Sequence, residues 1–163
     1  MDKPIDKSLS LSQRPINDEY DAWLTNWQTV GQTWRTEPEI DEKRQKYLEE
    51  HRSITPDIKQ SIYPFKGIKL TRADIEWLLA THERGCGPVD WSDEHQRQRK
   101  GLDLRGADLR QVNLSNLPLA RMCGGLTSVE FNTATVEQYS MARVHLELSL
   151  IHISEPTRQA EIS

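Results

Sequence analysis

Apolar residues are scarce: alanine, the aliphatics, the aromatics, methionine and cysteine make up 36 % of the 163 residues, against about 45–50 % in an average globular domain. Cysteine is scarcer still. Cys86 and Cys123 are too few for a disulfide framework or a zinc site, and they read as free cytoplasmic thiols; no cofactor is expected. Basic residues do not dominate, since 21 Lys and Arg face 25 Asp and Glu for a net charge of −4. No basic patch for neutralising phosphates follows from that balance, so no nucleic-acid partner is expected. The chain has neither a run of about 18 apolar residues nor a basic-then-apolar leader, which predicts no membrane segment and a cytoplasmic location. A glycine-rich phosphate loop is also missing.

What is present is a period. Between residues 101 and 147 an apolar residue returns every five positions, first as Leu104, Leu109, Leu114 and Leu119. After a longer step through Arg121–Gly125 it resumes as Leu126, Phe131, Val136, Met141 and Leu146. Two positions before each stand Leu102, Ala107, Val112, Leu117, Gly124, Val129, Ala134, Tyr139 and Val144. A period of five fits neither a helix nor a long strand. Apolar residues two apart do share one face of an extended segment. The pattern therefore predicts short extended pieces joined by corners, four to a coil, with both apolar residues pointing inward.

Gly106-Ala107-Asp108-Leu109-Arg110 and Gln111-Val112-Asn113-Leu114-Ser115 resemble the units of bacterial pentapeptide-repeat proteins. The match is tight over 101–119 and loose over 126–147, where Tyr139 departs from the small-residue rule; Leu102 and Leu117 depart more mildly. The resemblance implies an α+β chain, an α-helical N-terminal region leading into a short right-handed quadrilateral β-helix. Its core would comprise Leu102, Leu104, Ala107, Leu109, Val112, Leu114, Leu117, Leu119, Leu126, Val129, Phe131, Ala134, Val136, Met141, Val144 and Leu146.

Residues 1–17 are polar and read as a disordered lead-in, 18–91 as a helical capping region and 92–100 as a linker. Trp23, Leu24, Trp27, Val30 and Trp34 fall on one face of a helix predicted from Asp18 to Trp34. That stripe would pack within the chain or present Trp23, Trp27 and Trp34 to a partner. Its acidic polar face counts against a membrane surface. Thr36-Glu37-Pro38-Glu39 has the pattern of a helix start, for a helix running to about Arg52. Thr71-Arg72-Ala73-Asp74 opens a second capped helix that Gly85 closes, expected to shield the first coil; Val89 and Trp91 would form a leading strand. Residues 34–42 and 70–83 also resemble segments that precede the repeats in some bacterial pentapeptide-repeat proteins, a resemblance that brings no assigned activity.

Residues 148–163 resemble translated sequencing-adapter sequence, Leu148 to Arg158 matching a transposase adapter read in frame. The expectation is that the natural sequence departs near Glu147 and that the repeat block is incomplete.

Candidate chemistry is thin. His82, Glu83 and Cys86 lie close in sequence, but a helix C-terminus disfavours a thiolate, which makes a Cys/His enzyme the weakest reading. Asp93-Glu94-His95 reads as a solvated loop rather than a metal site. The resemblance implies a non-enzymatic protein-interaction scaffold with no named protein partner and no assigned oligomeric state. It also implies an alternative, a DNA mimic acting on a type II topoisomerase. That mimicry needs a strongly acidic rod, whereas Asp103, Asp108, Glu130, Glu137 and Glu147 are nearly balanced by Arg105, Arg110, Arg121 and Arg143.

Overall fold

A computed structural model of the chain describes residues 20–149. The expected lead-in over 1–17 and all but the first two residues of the 148–163 segment lie outside the described residues. The elements are α1 (Tyr20–Thr29), α2 (Glu42–Arg52), α3 (Arg72–Ala80), α4 (His82–Gly85), α5 (Ser128–Thr133) and α6 (Val136–Ala142). A single 3₁₀ turn, Glu94–Gln96, lies between α4 and α5.

Among the described residues there is no β-strand, and the predicted β-helix solenoid is not formed. Extended pairing is confined to isolated bridges: Lys69 with Asp108, Asp103 with Cys123 and Asp108 with His145 in parallel, and Asp57 with Ile62 antiparallel. Val89 and Trp91, expected as a leading strand, stand outside any bridge.

The reason is local. Gly106, Gln111, Asn116 and Arg121 all adopt positive φ, between 64° and 75°, so the chain turns a corner every five residues. In each of the first three units an Asp or Asn side chain accepts the backbone N–H two residues on: Asp103 from Arg105 at 3.2 Å, Asp108 from Arg110 at 3.1 Å and Asn113 from Ser115 at 3.0 Å. These Asx turns leave room for one bridging residue between corners, and one bridge is not a strand. Gly101 is needed because a Cβ there would lie 2.5 Å from the Ala120 carbonyl oxygen. Gly106 combines φ of 75° with a Lys66 side chain that a Cβ would meet at 2.9 Å.

The central segment 106–111 is flanked on both sides. Gly67 N donates to Gly106 O and Asp108 N to Ile68 O, while Leu109 N donates to His145 O and Gln111 N to Glu147 O. Leu102, Leu104, Ala107, Leu109, Val112, Leu114 and Leu117 point into a core completed by Leu48 of α2, Ile75, Leu78 and Leu79 of α3, Phe65, Leu70, Met122 and Val144.

The second block, 126–142, is overturned as a run of repeats. It forms α5 and α6, each started by a reciprocal capping box: Thr127 with Glu130, and Thr135 with Gln138. Val129, Phe131, Val136 and Met141, predicted as core, are exposed. Leu126, Ala134, Leu119 and Leu146 are half-buried.

Two helix boundaries also move. α1 ends at Thr29 rather than Trp34, followed by Gly31 at φ of 83°. α2 starts at Glu42 with Asp41 as cap, its side chain accepting from Arg44 N at 2.8 Å. The Thr36 start is displaced because Glu76, fully buried in α3, takes the N–H groups of Thr36 at 2.9 Å and Glu37 at 3.1 Å. By contrast, the Thr71–Asp74 capping box of α3 forms as its residue pattern predicts.

Glu76 is the hub of a buried polar joint. Arg72 Nε donates to it at 2.8 Å, and Arg35 Nε lies 3.7 Å away. Arg72 Nη1 then reaches the carbonyls of Asn113 and Ser115, both at 2.9 Å. One side chain thereby ties the segment before α2, helix α3 and the five-residue turns together. A second clamp has Arg44 donating to both carboxylate oxygens of Asp74, at 3.0 and 2.8 Å.

Candidate interaction surface

Of the tryptophans predicted on one helical face, Trp23 and Trp27 lie on α1 and are buried, whereas Trp34 lies beyond the end of the helix. Trp23 and Trp27 are buried and stacked, with ring centroids 5.1 Å apart. The Arg35 guanidinium lies 3.7 Å from the Trp27 ring, and Trp27 Nε1 donates to Glu37 O at 2.9 Å. Trp34 is half-buried and packs against the main core.

After α3 the helix is interrupted, and α4 is a distorted single turn. Glu83 and Arg84 sit in the left-handed region, with φ of 52° and 59°. His82 Nε2 donates to the Lys100 carbonyl at 2.7 Å, and Cys86 is exposed. The structure thus directs the imidazole to a backbone acceptor. Asp93 is occupied in turning its own loop, accepting from His95 N at 3.0 Å. No group of three His, Cys, Asp or Glu converges among the described residues.

The surface that stands out is α5–α6. Val129, Phe131, Val136 and Met141 expose 77, 52, 83 and 40 % of their area on two adjacent short helices. Phe131 and Tyr139 pack edge to face, centroids 4.9 Å apart, which fixes the aromatic part of the patch. Exposed large apolar side chains concentrated in one short segment are candidates for a binding surface. Arg143 lies over the Tyr139 ring at 5.9 Å, so the patch has the aromatic, methionine and arginine composition of interface centres.

Beneath this hairpin lies a polar cluster that the spacing of the sequence did not reveal. Arg105 is buried, donates to Asp103 through Nε at 2.9 Å and Nη2 at 2.7 Å, and lies 4.7 Å from the Tyr63 ring centroid. Its Nη1 is 3.9 Å from Glu130 in α5. Desolvation works against the Arg105 charge, but Asp103 overcomes it and holds the guanidinium above its ordinary pKa. Burial pushes both the Tyr63 phenol and the Cys123 thiol up. Among the described residues the Tyr63 hydroxyl has no hydrogen-bond partner.

A shallow groove of about 570 Å³ runs along the opposite side of the turns, between Lys69, Thr71, Arg72 and residues 110–116. Its cations are already engaged: Arg110 is paired with Asp108 at 2.8 Å, and Lys69 Nζ donates to the Arg110 carbonyl. The hydrogen bond from Arg110 holds the Asp108 carboxyl well below the usual carboxylate range. A carboxylate whose folded pKa lies below its unfolded one stabilises the fold above the unfolded value, and that stability is lost as pH falls towards the folded pKa. Asp108→Asn is therefore expected to keep the corner, as Asn113 does naturally, while flattening the loss of stability below about pH 4. Urea melts of both proteins between pH 3 and 7 measure this, and parallel pH profiles would refute it.

No helix of the described residues is long and apolar enough to cross a membrane. Comparison of the chain with protein-family models, curated proteins and solved structures found no match.

Proposed function

We propose that the chain acts without catalysis, by binding a protein partner through the exposed apolar side chains of α5 and α6. The observation that carries this reading is the exposure of Val129, Phe131, Val136 and Met141 on two successive capped helices. Burying such side chains against a partner removes apolar area from water, at roughly 25 cal/mol per Å². The reciprocal caps hold the two short helices in shape before binding, which lowers the ordering cost of association. The likeness of residues 34–42 and 70–83 to segments of pentapeptide-repeat proteins is consistent with a binding role and adds no activity.

Photo-crosslinking in cells that make the protein tests this. A benzophenone side chain at position 136 is expected to give a discrete adduct that excess parent chain competes away and the Val129→Glu/Val136→Glu variant does not. The purified partner should then bind that variant at least about tenfold more weakly, a loss near 1.4 kcal/mol. Equal adducts from a benzophenone at exposed Lys46 in α2, or competition by the variant, would reject the surface.

A further inference from the structure

We propose that residues 125–141 are a seventeen-residue insertion spliced into one corner of the five-residue turns, a binding element that the body folds without. Its role in binding rests on the function proposed above; its boundaries do not.

The first observation is the hydrogen bond that closes each corner. Ala107 N donates to Leu104 O, Val112 N to Leu109 O, Leu117 N to Leu114 O, Met122 N to Leu119 O and Ser149 N to Leu146 O, at 2.9 to 3.4 Å. Two residues lie inside each of these bonds. The second of them is Gly106, Gln111, Asn116, Arg121 or Leu148, with φ between 62° and 75°. Val144 N donates to Gly124 O at 3.0 Å, the same closing bond, but with nineteen residues inside it instead of two. The surplus is seventeen, and phase is kept across it. Asp103 and Asp108 are five apart, whereas their bridge partners Cys123 and His145 are twenty-two apart, again seventeen too many. The chain then resumes its place beside the earlier turns, with Leu109 N donating to His145 O and Gln111 N to Glu147 O.

The second observation is burial, which changes at the same two borders. Gly124, Ala142 and Val144 are buried, whereas every residue from 125 to 141 is half-buried or exposed and none joins the main core. Ala142 belongs to the body, since Gly106 N donates to its carbonyl at 3.0 Å. Among the described residues, the polar ties from 125–141 to the chain before Gly124 are weak. Cys123 Sγ lies 3.7 Å from Gly125 O, Glu130 lies 3.9 Å from Arg105, and Gln138 Nε2 donates to Lys59 O at 3.3 Å. Val129, Phe131, Val136 and Met141 all fall inside the surplus. Removing it would take the binding surface away and leave Ala142-Arg143 between Gly124 and Val144, the length of every other corner.

Deleting 125–141 from the full chain tests this, read by amide hydrogen exchange at Leu109 and Gln111, whose amides bond to His145 and Glu147 beyond the splice. Their exchange in the deletion variant should stay within about tenfold of the parent. Deleting 125–142, one residue more, should speed it by at least about a hundredfold, because a single residue cannot make the corner. A further substitution separates a restored corner from a tolerated gap. Arg143 has φ of −72° in the parent, but in the 125–141 deletion it becomes the second corner residue, where a left-handed backbone is required. Arg143→Gly should therefore slow Leu109 and Gln111 exchange about fivefold in that variant, and not in the parent. Exchange more than about tenfold faster in the 125–141 deletion, or no effect of Arg143→Gly upon it, would overturn the insertion. The same variant should fail to compete for the adduct formed by a benzophenone at position 136. Competition by it would overturn the binding element and leave the insertion standing.

Discussion

Replacing Glu76 by alanine is expected to lower the stability of the chain by about 3–5 kcal/mol, among the largest effects of any single polar substitution in it. Glu76 is fully buried and takes hydrogen bonds from Thr36 N, Glu37 N, Thr36 Oγ1 and Arg72 Nε. Its removal leaves the buried Arg35 with Glu39, 2.6 Å away, as its remaining carboxylate, and takes from Arg72 the carboxylate that it meets at 2.8 Å. Two backbone N–H groups lose their acceptor at the same time, and a buried donor left unpaired costs about 1–3 kcal/mol. Glu76→Gln should be milder, since one amide oxygen still accepts, but it cannot neutralise both arginines. Urea denaturation followed by tryptophan fluorescence measures this, because Trp27 and Trp34 bracket the joint. A loss below about 1 kcal/mol for the alanine variant would mean the joint is solvated like a surface pair.

The second large effect separates two halves of one pattern. Leu109 and Val136 occupy equivalent places in the five-residue period, yet Leu109 is fully buried and Val136 is 83 % exposed. Leu109→Ala is expected to cost about 2–5 kcal/mol, through lost transfer energy and a cavity facing Leu104 and Leu114. Val136→Ala should fall within about 0.5 kcal/mol of the parent, and its better helix propensity could make it slightly stabilising. Comparable large losses from both substitutions would restore Val136 to the core and contradict the helical assignment of 128–142.

That contrast shows where the sequence was legible. The inward set from Leu102 to Leu117 follows from alternation and period alone, because burial of the apolar pair is what the corners achieve. The second block keeps the period but lacks the residue that makes the corner. In the first three units the position before each leucine is Asp103, Asp108 or Asn113, whose side chain closes the turn. In the second block that position holds Gly125, Glu130, Thr135, Ser140 and His145. Two of these belong instead to the Thr-x-x-Glu and Thr-x-x-Gln helix starts, a local signal that the five-residue spacing concealed. The false start at Thr36 has a different origin. Its pattern is sound, but a carboxylate forty residues away takes its N–H group, and no local rule contains that competitor. The Tyr63–Arg105–Glu130 cluster was hidden for the same reason, being assembled from three distant segments.

The left-handed residues at 106, 111, 116 and 121 have a consequence for how the gene can lengthen or shorten. Between them the chain counts in fives. Deleting one residue from 107–120 would move a leucine to the outer side and force the next turn onto a residue not suited to it. Deleting a whole unit would keep every later side chain in phase. Beyond Gly124 the counting stops until the chain rejoins the body at Ala142, whose carbonyl accepts from Gly106 N, and at Val144, whose N–H meets Gly124 O, and changes of length in 125–141 cost little more than loop closure, about 0.6 kcal/mol per doubling. Variation by arbitrary lengths should therefore collect in 125–141, and variation in 101–121 should come in multiples of five.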